Sequence, residues 1–288
     1  MKKQEKPELI LGIDDAGRGP LIGPMALAGC LINSEIEKEF KKLGVKDSKM
    51  LTPIKREFLA KKIKEKAIAY HVCHVHPFEI DGRTKQGLNL NKIEAIKSAE
   101  IINFLVNEQK EKRIRVMIDC PSPNRESWKN YVIQHIFNKN KKNLSVQCEH
   151  KADRDYIAVS AASILAKSAR EKEVAKIKEK IGKDFGSGYT HDPKTLEFLK
   201  KYSAEHKKDG IFRETWATWQ NHKAKKEQKN LQKQYKKISL SVFFISRFTG
   251  RYKISVYKVS FFDKKSKSGS EWVFIFLIIV FCHFNGNE

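Results

Sequence analysis

The chain is organised around one stretch, Leu9-Ile10-Leu11-Gly12-Ile13-Asp14-Asp15-Ala16-Gly17-Arg18-Gly19-Pro20. Four of its first five residues are apolar, which is typical of a buried strand. Two adjacent carboxylates follow, and acids at the mouth of a core are costly unless they bind a cation. The next turn offers clustered backbone N–H groups beside Arg18, which suits a phosphate. A metal beside a phosphate indicates a nuclease or phosphoryl transferase, and a surface turn with two solvated acids is the alternative.

The charge of the chain predicts a polyanionic partner. Its 288 residues contain 57 Lys and Arg against 34 Asp and Glu, a formal net charge of +23, and nucleic acid is the usual partner of such a surface. A solvated, lysine-rich surface explains part of this excess but not the acids in apolar surroundings. The five cysteines lie far apart without a CxxC pair, which argues against a zinc site or a disulfide framework. We therefore expect a reducing, cytoplasmic location, and we predict no secretion signal from the residues before Asp14.

The rest of the chain alternates predicted strands and helices, which favours an α/β domain with a mixed sheet. Thr52 is a candidate N-cap with Pro53 at the first helical position. The helix predicted over 156–181 is rich in small residues in its first half, which would let its backbone approach a sheet closely. Further strands are predicted at 25–32, 68–75, 115–119 and 144–148, and further helices at 34–43, 89–106 and 193–202.

Three segments deliver acids from the ends of predicted elements. Asp14 and Asp15 follow the first strand, Asp119 ends another, and Asp153 stands just before a helix. Converging carboxylates of this kind would hold two hard cations about 3.5–4 Å apart, which activate a water and neutralise the leaving oxygen of a phosphodiester. Taken singly, each acid is more often structural or solvated. Together with the apolar strands, the pattern favours a metal site.

These residues resemble the ribonuclease HII family, the type 2 ribonucleases H, over about residues 8–220. Residues 12–20 look like the family signature, and Asp47-Ser48-Lys49-Met50-Leu51 resembles its DSK-x-L segment. Asp119 falls where the third acid of the family lies. The stretch from His150 to Lys167 resembles the fourth acid and the helix after it. Residues 186–195 are similar to the archaeal and eukaryotic branch, as is Gly23-Pro24-Met25.

The resemblance implies a fold and an activity. The fold would be a ribonuclease H-like mixed β-sheet flanked by helices, with its sheet core at about 8–180 and a C-terminal helical part at about 181–220. The activity would be that of an endoribonuclease that hydrolyses the RNA strand of RNA–DNA hybrids and cleaves at ribonucleotides embedded in duplex DNA. Its products would carry 5′-phosphate and 3′-hydroxyl ends. Four residues would be catalytic and would bind two Mn²⁺ or Mg²⁺ ions: Asp14, Asp15, Asp119 and Asp153.

The resemblance also implies a set of substrate-binding residues. Gly17, Arg18 and Gly19 would contact the 2′-OH and phosphate of the ribonucleotide, Tyr189 would stack on the sugar at the RNA–DNA junction, and Lys49 would hold a backbone phosphate. The residues themselves agree, because the 2′-OH distinguishes RNA from DNA and a glycine turn lets backbone donors approach it. Without the resemblance, Tyr189 is interpreted as an exposed loop aromatic and Lys49 as a solvated lysine.

One residue departs from the family pattern. The second acid of the motif is normally Glu, and here it is Asp15, which is shorter by one methylene. We expect activity to be retained with a shifted metal preference, because Mn²⁺ accepts a looser geometry. A nucleic-acid-binding relative with weakened catalysis is the alternative. A nuclease of the same fold that acts on DNA alone is disfavoured by the Gly-Arg-Gly turn together with Tyr189.

The character of the chain changes near residue 220. Residues 221–236 are lysine-rich and are predicted to form an exposed helix or a disordered linker. Residues 237–244 resemble the sliding-clamp-binding box of archaeal relatives, although the leading Gln is Lys237 here. Leu240, Phe243 and Phe244 would insert into a hydrophobic pocket of the clamp as a short helical turn, and a chance apolar cluster is the alternative.

The tail, residues 245–288, has no amphipathic plan that predicts a structure. Its Trp272–Cys282 segment is a run of eleven apolar residues, and a membrane span needs about 20. We therefore expect no membrane association, although a buried strand, a weak anchor or foreign sequence would each explain the run. The predicted assembly state is a monomer.

Overall fold

The structure is a computed structural model that describes residues 9–46, 51–107, 109, 112–248, 252–258 and 278–284. The chain divides into two compact units, Met1–His222 and Lys223–Glu288. The first unit contains the acids, the glycine turn and Tyr189. The predicted clamp-binding box and the tail belong to the second unit.

The first unit is built around a five-stranded mixed sheet. Its strands are β1 (Leu9–Ala16), β2 (Met25–Ile32), β3 (Ala69–Val75), β4 (Ile114–Asp119) and β5 (Leu144–Glu149). Their order across the sheet is β3-β2-β1-β4-β5. β1 pairs with β2 antiparallel and with β4 parallel, while β3 is antiparallel to β2 and β5 is parallel to β4. This arrangement confirms the predicted mixed sheet.

β1 occupies the centre of this sheet, and its apolar residues are buried. Leu11 and Ile13 are fully enclosed, as the apolar run predicted. A long helix, α8 (Ile157–Ile181), packs directly on the strand. A Cβ placed on Gly12 would lie 2.1 Å from the carbonyl carbon of Ala158, so this position accepts only glycine. The small residues of α8 therefore bring its backbone against the sheet, as predicted.

The remaining helices of the first unit cover both faces of the sheet. Their bounds are α1 (Ser34–Leu43), α2 (Pro53–Lys66), α3 (Pro77–Lys85), α4 (Leu90–Val106), α5 (Arg125–His135), α6 (Asn138–Lys141), α7 (Ala152–Asp155) and α9 (Pro193–Tyr202). The cap of α2 forms as predicted, because the Thr52 hydroxyl accepts the Lys55 N–H at 3.3 Å. Gly182 ends α8 in the left-handed conformation. Four of these helices had no sequence prediction: α3, α5, α6 and α7.

The buried apolar residues form separate clusters around this sheet. One lies between the sheet and helices α4 and α5, and another lies between the sheet and α1, α2 and α8. A third joins Leu21 and Ile22, which follow β1, to Phe185, Phe198 and Phe212 near the end of the unit. This third cluster brings the chain after α8 back to the turn that follows β1, and so prepares one edge of the site.

The last helix and two strands account for what is described beyond residue 216. Helix α10 (Ala217–Phe248) includes the lysine-rich segment, and its side chains are exposed over 223–234. Strands β6 (Tyr252–Lys258) and β7 (Ile278–Phe284) pair antiparallel, and β7 takes up the last five residues of the apolar run. A search of the described residues found no helix with the length and hydropathy of a membrane span.

Candidate active site

Two of the predicted acids meet because β1 and β4 run side by side in the same direction. Ile13 is in register with Ile118, so Asp14 and Asp119 leave the sheet at the same edge. Asp14 is buried, and Asp15 and Asp119 are half-buried. All three line one cavity of about 10 Å³, which is enough for roughly one water molecule. The structure therefore brings these three predicted acids together.

The electrostatics of this cavity penalise negative charge. Burial, followed by the neighbouring carboxylates of Asp15 and Asp119, raises the pKa of Asp14 well above its usual range. A hydrogen bond from Ser163 and the Asp15 N–H, 2.7 Å from Asp14 Oδ1, act in the opposite direction. A cation would remove both the repulsion and the desolvation cost. The carboxylates therefore suit a hard divalent metal ion.

The acids do not yet enclose such an ion. Within the described part of the chain, no three His, Cys, Asp or Glu side chains are already placed to coordinate one metal. Mutual repulsion keeps neighbouring carboxylates apart until a cation neutralises them. The fold thus brings the acids together without arranging them as a set of metal ligands.

Asp153 is positioned by a contact between β4 and the short helix α7. The Asp119 carboxylate accepts the Ala152 N–H at 2.9 Å. Asp153, which is buried, directly follows Ala152 in the chain and is therefore held next to this contact. The Asp153 carbonyl accepts the Ser160 hydroxyl at 2.6 Å. Lys151, just before α7, has a φ of 61°, the one positive value among the described non-glycine residues. Such backbone strain is retained where the surrounding structure enforces it.

The glycine turn after β1 is held by an arginine that the sequence did not single out. Arg213 is fully buried, and its guanidinium donates to the carbonyls of Gly17 and Arg18 at 2.6 Å each and of Gly23 at 3.2 Å. Burial lowers the pKa of Arg213 to about 9. A lone cation after the apolar pair Ile211 and Phe212 was the available signal. Arg213 thus holds the backbone carbonyls of the turn in place.

Arg18 points back toward the acids. One guanidinium nitrogen bonds Glu94 Oε2 and the other bonds Asn91 Oδ1 at 2.8 Å. Glu94 is 2% exposed on α4 and lines the same cavity as Asp14. Burial and then the charge of Asp15 raise the pKa of Glu94, while Arg18 opposes the rise. Sequence reasoning missed Glu94, although a single acid between Ile93 and Ala95 in a buried helix was a visible anomaly.

Tyr189 lies beside the glycine turn, as its predicted role requires. A Cβ built on Gly19 would be 3.6 Å from the Tyr189 ring. The ring also lies 5.1 Å from the Arg170 guanidinium. Gly188 anchors this loop because its carbonyl accepts the N–H groups of Leu21 at 2.8 Å and Ile22 at 3.2 Å. Two distant segments thus form one wall of the site.

The other predicted residues are not placed in this site. Lys49 lies outside the described residues. Leu240, Phe243 and Phe244 fall within α10, whose backbone is described there but whose side chains are not. Their roles stay predictions.

Comparison with known proteins identifies the family. The family model of ribonuclease HII matches residues 11–219. The chain belongs to the ribonuclease HII family. The match contains Asp14, Asp15, Asp119, Asp153 and Tyr189, and the predicted family is confirmed.

Individual relatives agree. The chain is 41% identical over 219 residues to a ribonuclease HII of Methanococcus maripaludis, which covers 74% of this chain and 87% of that protein. The crystal structure of the ribonuclease H2 from Pyrococcus horikoshii superposes with a TM-score of 0.66 at 35% identity, over 75% of this chain and 98% of the other. A structure of the PCNA:RNase HII complex from Archaeoglobus fulgidus superposes with a TM-score of 0.62 at 38% identity, over 72% and 95%.

Family membership fixes the class of enzyme and fold. The chain is a type 2 ribonuclease H, an endonuclease that hydrolyses phosphodiester bonds. Its five-stranded mixed sheet with flanking helices is the ribonuclease H-like fold that was predicted.

Proposed function

We propose that this ribonuclease HII hydrolyses the RNA strand of RNA–DNA hybrids and also cleaves at single ribonucleotides embedded in duplex DNA. The proposed mechanism uses two metal ions and leaves 5′-phosphate and 3′-hydroxyl ends. The observation that carries the proposal is the convergence of Asp14, Asp15 and Asp119 on one cavity beside the 17–19 turn. The acids supply a place for chemistry, and the turn supplies a place for recognition.

The chemistry is assigned to the acid side. Asp14, Asp15, Asp119 and Asp153 would hold two Mn²⁺ or Mg²⁺ ions, since oxygen ligands from carboxylates are those that these cations take. When bound, the two metal ions would supply a nucleophilic water at neutral pH and would stabilise the leaving oxygen. The buried wall of Ile13 and Ile118 excludes bulk water behind the acids, which strengthens every electrostatic interaction in the cavity.

Recognition is assigned to the turn side. Arg213 donates to the carbonyls of Gly17 and Arg18, so the backbone N–H groups of the turn would be the donors offered to a substrate. A 2′-OH is both a donor and an acceptor and marks RNA within DNA. Tyr189, beside Gly19, would stack on the sugar at the junction, and Lys49 would hold a phosphate. The formal charge of +23 would attract the duplex without regard to its sequence.

We also propose that the C-terminal segment binds a sliding clamp through Leu240, Phe243 and Phe244. Two observations support it: the resemblance of 237–244 to a clamp-binding box, and the complex with PCNA that the Archaeoglobus relative forms. Binding of Phe243→Ala/Phe244→Ala to purified Archaeoglobus fulgidus PCNA should be lost. Ser239→Ala/Ser241→Ala, from the same segment, is the matched control. Equal binding by both double variants would remove the claim.

The proposed location is the cytoplasm. Cys30, Cys73, Cys120 and Cys148 are all free thiols, and unpaired cysteines are the rule in a reducing compartment.

A cleavage assay tests the proposed function. The substrates are an RNA–DNA hybrid and a DNA duplex with one ribonucleotide, each incubated with Mg²⁺ or Mn²⁺. Asp153→Asn should abolish cutting of both substrates. Asp155→Asn is the matched control, because Asp155 is exposed on the same short helix, and it should cut at the wild-type rate.

The outcome also decides between enzyme and binding relative. If the wild-type chain binds both substrates but cuts neither with either metal, the weakened nucleic-acid-binding relative becomes the better description. Products that carry a 3′-phosphate would contradict the two-metal mechanism.

A further inference from the structure

We infer that Glu94, which lines the cavity of Asp14, Asp15 and Asp119, contributes a further carboxylate to the cation site through its Oε1 atom. This inference deepens the proposed function and rests on it. Glu94 belongs to α4, an element that supplies none of the four predicted acids.

The first observation is the burial of an unsatisfied oxygen. Glu94 is 2% exposed, and its Oε1 has no hydrogen-bond partner among the described residues, whereas Oε2 pairs with Arg18. A buried carboxylate oxygen without a partner destabilises the folded protein. We expect this unpaired oxygen to gain its partner when a cation binds in the cavity.

The second observation is that Glu94 lies among other acidic residues. It lines the cavity together with Asp14, Asp15 and Asp119, so four carboxylates face one space. Arg18 reaches Glu94 from the turn. A guanidinium carries a single positive charge, so a divalent cation in the cavity would further offset the repulsion among these acids.

A purely structural role is the competing explanation. In that case Glu94 serves to hold Arg18, together with Asn91, and has no effect on cation binding except through Arg18. The two explanations separate if cation affinity is measured without substrate and with Arg18 removed.

The experiment is a Mn²⁺ titration of the full chain, with free Mn²⁺ followed by electron paramagnetic resonance. Glu94→Gln keeps the size of the side chain and removes its charge, and it should weaken Mn²⁺ binding roughly 10- to 100-fold. Glu100→Gln, from the exposed side of the same helix, is the matched control and should leave affinity unchanged. Glu94→Gln should weaken binding by a similar factor in an Arg18→Gln background.

Each result has one consequence. If Glu94→Gln binds Mn²⁺ like the wild type while Asp14→Asn binds weakly, the inference fails and the proposed function stands. A Glu94→Gln effect that vanishes in the Arg18→Gln background also overturns it. If Asp14→Asn has no effect either, the metal site of the proposed function fails with it. Should Glu94→Gln not fold, Glu94→Asp, which keeps the charge but withdraws it by one methylene, is expected to weaken binding less than tenfold but measurably.

Discussion

The two sides of the active site are positioned by different kinds of interaction. The acids Asp14 and Asp119 are placed by strand register, since β1 and β4 are parallel neighbours that end together. The 17–19 turn is placed by hydrogen bonds from one buried side chain, Arg213. The acid side carries repulsion between like charges, whereas the carbonyls of Gly17 and Arg18 on the turn side already accept hydrogen bonds. We therefore expect a bound cation to stabilise the acid side, while the turn is already held by contacts within the folded protein.

The largest expected effect concerns the turn. Arg213→Met removes three hydrogen bonds to backbone carbonyls, two of them buried and one part-buried. Bonds to charged groups are worth about 1.5–3 kcal/mol each, so we expect the free energy of unfolding to fall by at least about 3 kcal/mol. Urea denaturation measures it. Arg154→Met, on the exposed face of α7, is the control and should change stability by less than about 0.5 kcal/mol; equal losses would refute the assignment.

On the acid side, removing a charged group is expected to raise the free energy of unfolding rather than lower it. Because the pKa of Asp14 is raised in the folded protein, the unfolded chain loses this proton at a lower pH than the folded chain does. The destabilising contribution is thus absent below the pKa of the unfolded state, grows as the pH rises toward the folded value, and is complete above it. In EDTA at pH 7, Asp14→Asn should be more stable than the wild type by on the order of 1 kcal/mol.

Thermal melting in EDTA at pH 3.5 and pH 7 tests this sign. The advantage of Asp14→Asn should shrink at the lower pH, and saturating Mn²⁺ should stabilise the wild type more than the variant. A variant that is less stable than the wild type at pH 7 would show that the carboxylate is satisfied without a cation.

The smallest expected effect concerns metal choice. Asp15→Glu lengthens the half-buried second acid by one methylene, which restores the usual residue of the family motif. We expect the ratio of Mn²⁺- to Mg²⁺-supported cleavage rates to fall severalfold, because Mg²⁺ demands the stricter geometry. Rates of both proteins with each metal decide it. An unchanged ratio would mean that Asp15 does not set the preference.

Some features of the two sides could be predicted from the sequence, and others could not. Acids that follow apolar strands are visible as local patterns in the sequence. The small residues of α8 likewise predicted the close approach between Gly12 and Ala158. The sequence marks Arg213 as a cation after two apolar residues but does not reveal its partners, which lie about 190 positions earlier in the chain. Glu94 likewise stands out between Ile93 and Ala95, but the sequence does not show which residues it meets.

The missed helices have a local explanation. Helix α5 buries Trp128 and Val132 and leaves most of its residues solvated, so its apolar stripe is too narrow to stand out. Helix α7 is a single turn that begins after a left-handed Lys151, which no propensity favours. Both depend on tertiary contacts rather than on their own sequence.

The most direct test of the account is position-resolved cleavage of a DNA duplex with one ribonucleotide, compared with the all-DNA duplex of the same sequence. The account predicts one cut on the 5′ side of the ribonucleotide, which requires a divalent cation and is lost in Asp14→Asn, and no cut in the all-DNA duplex. Equal cutting of both duplexes would contradict the role of the turn. Undiminished cutting by Asp14→Asn would contradict the role of the acids.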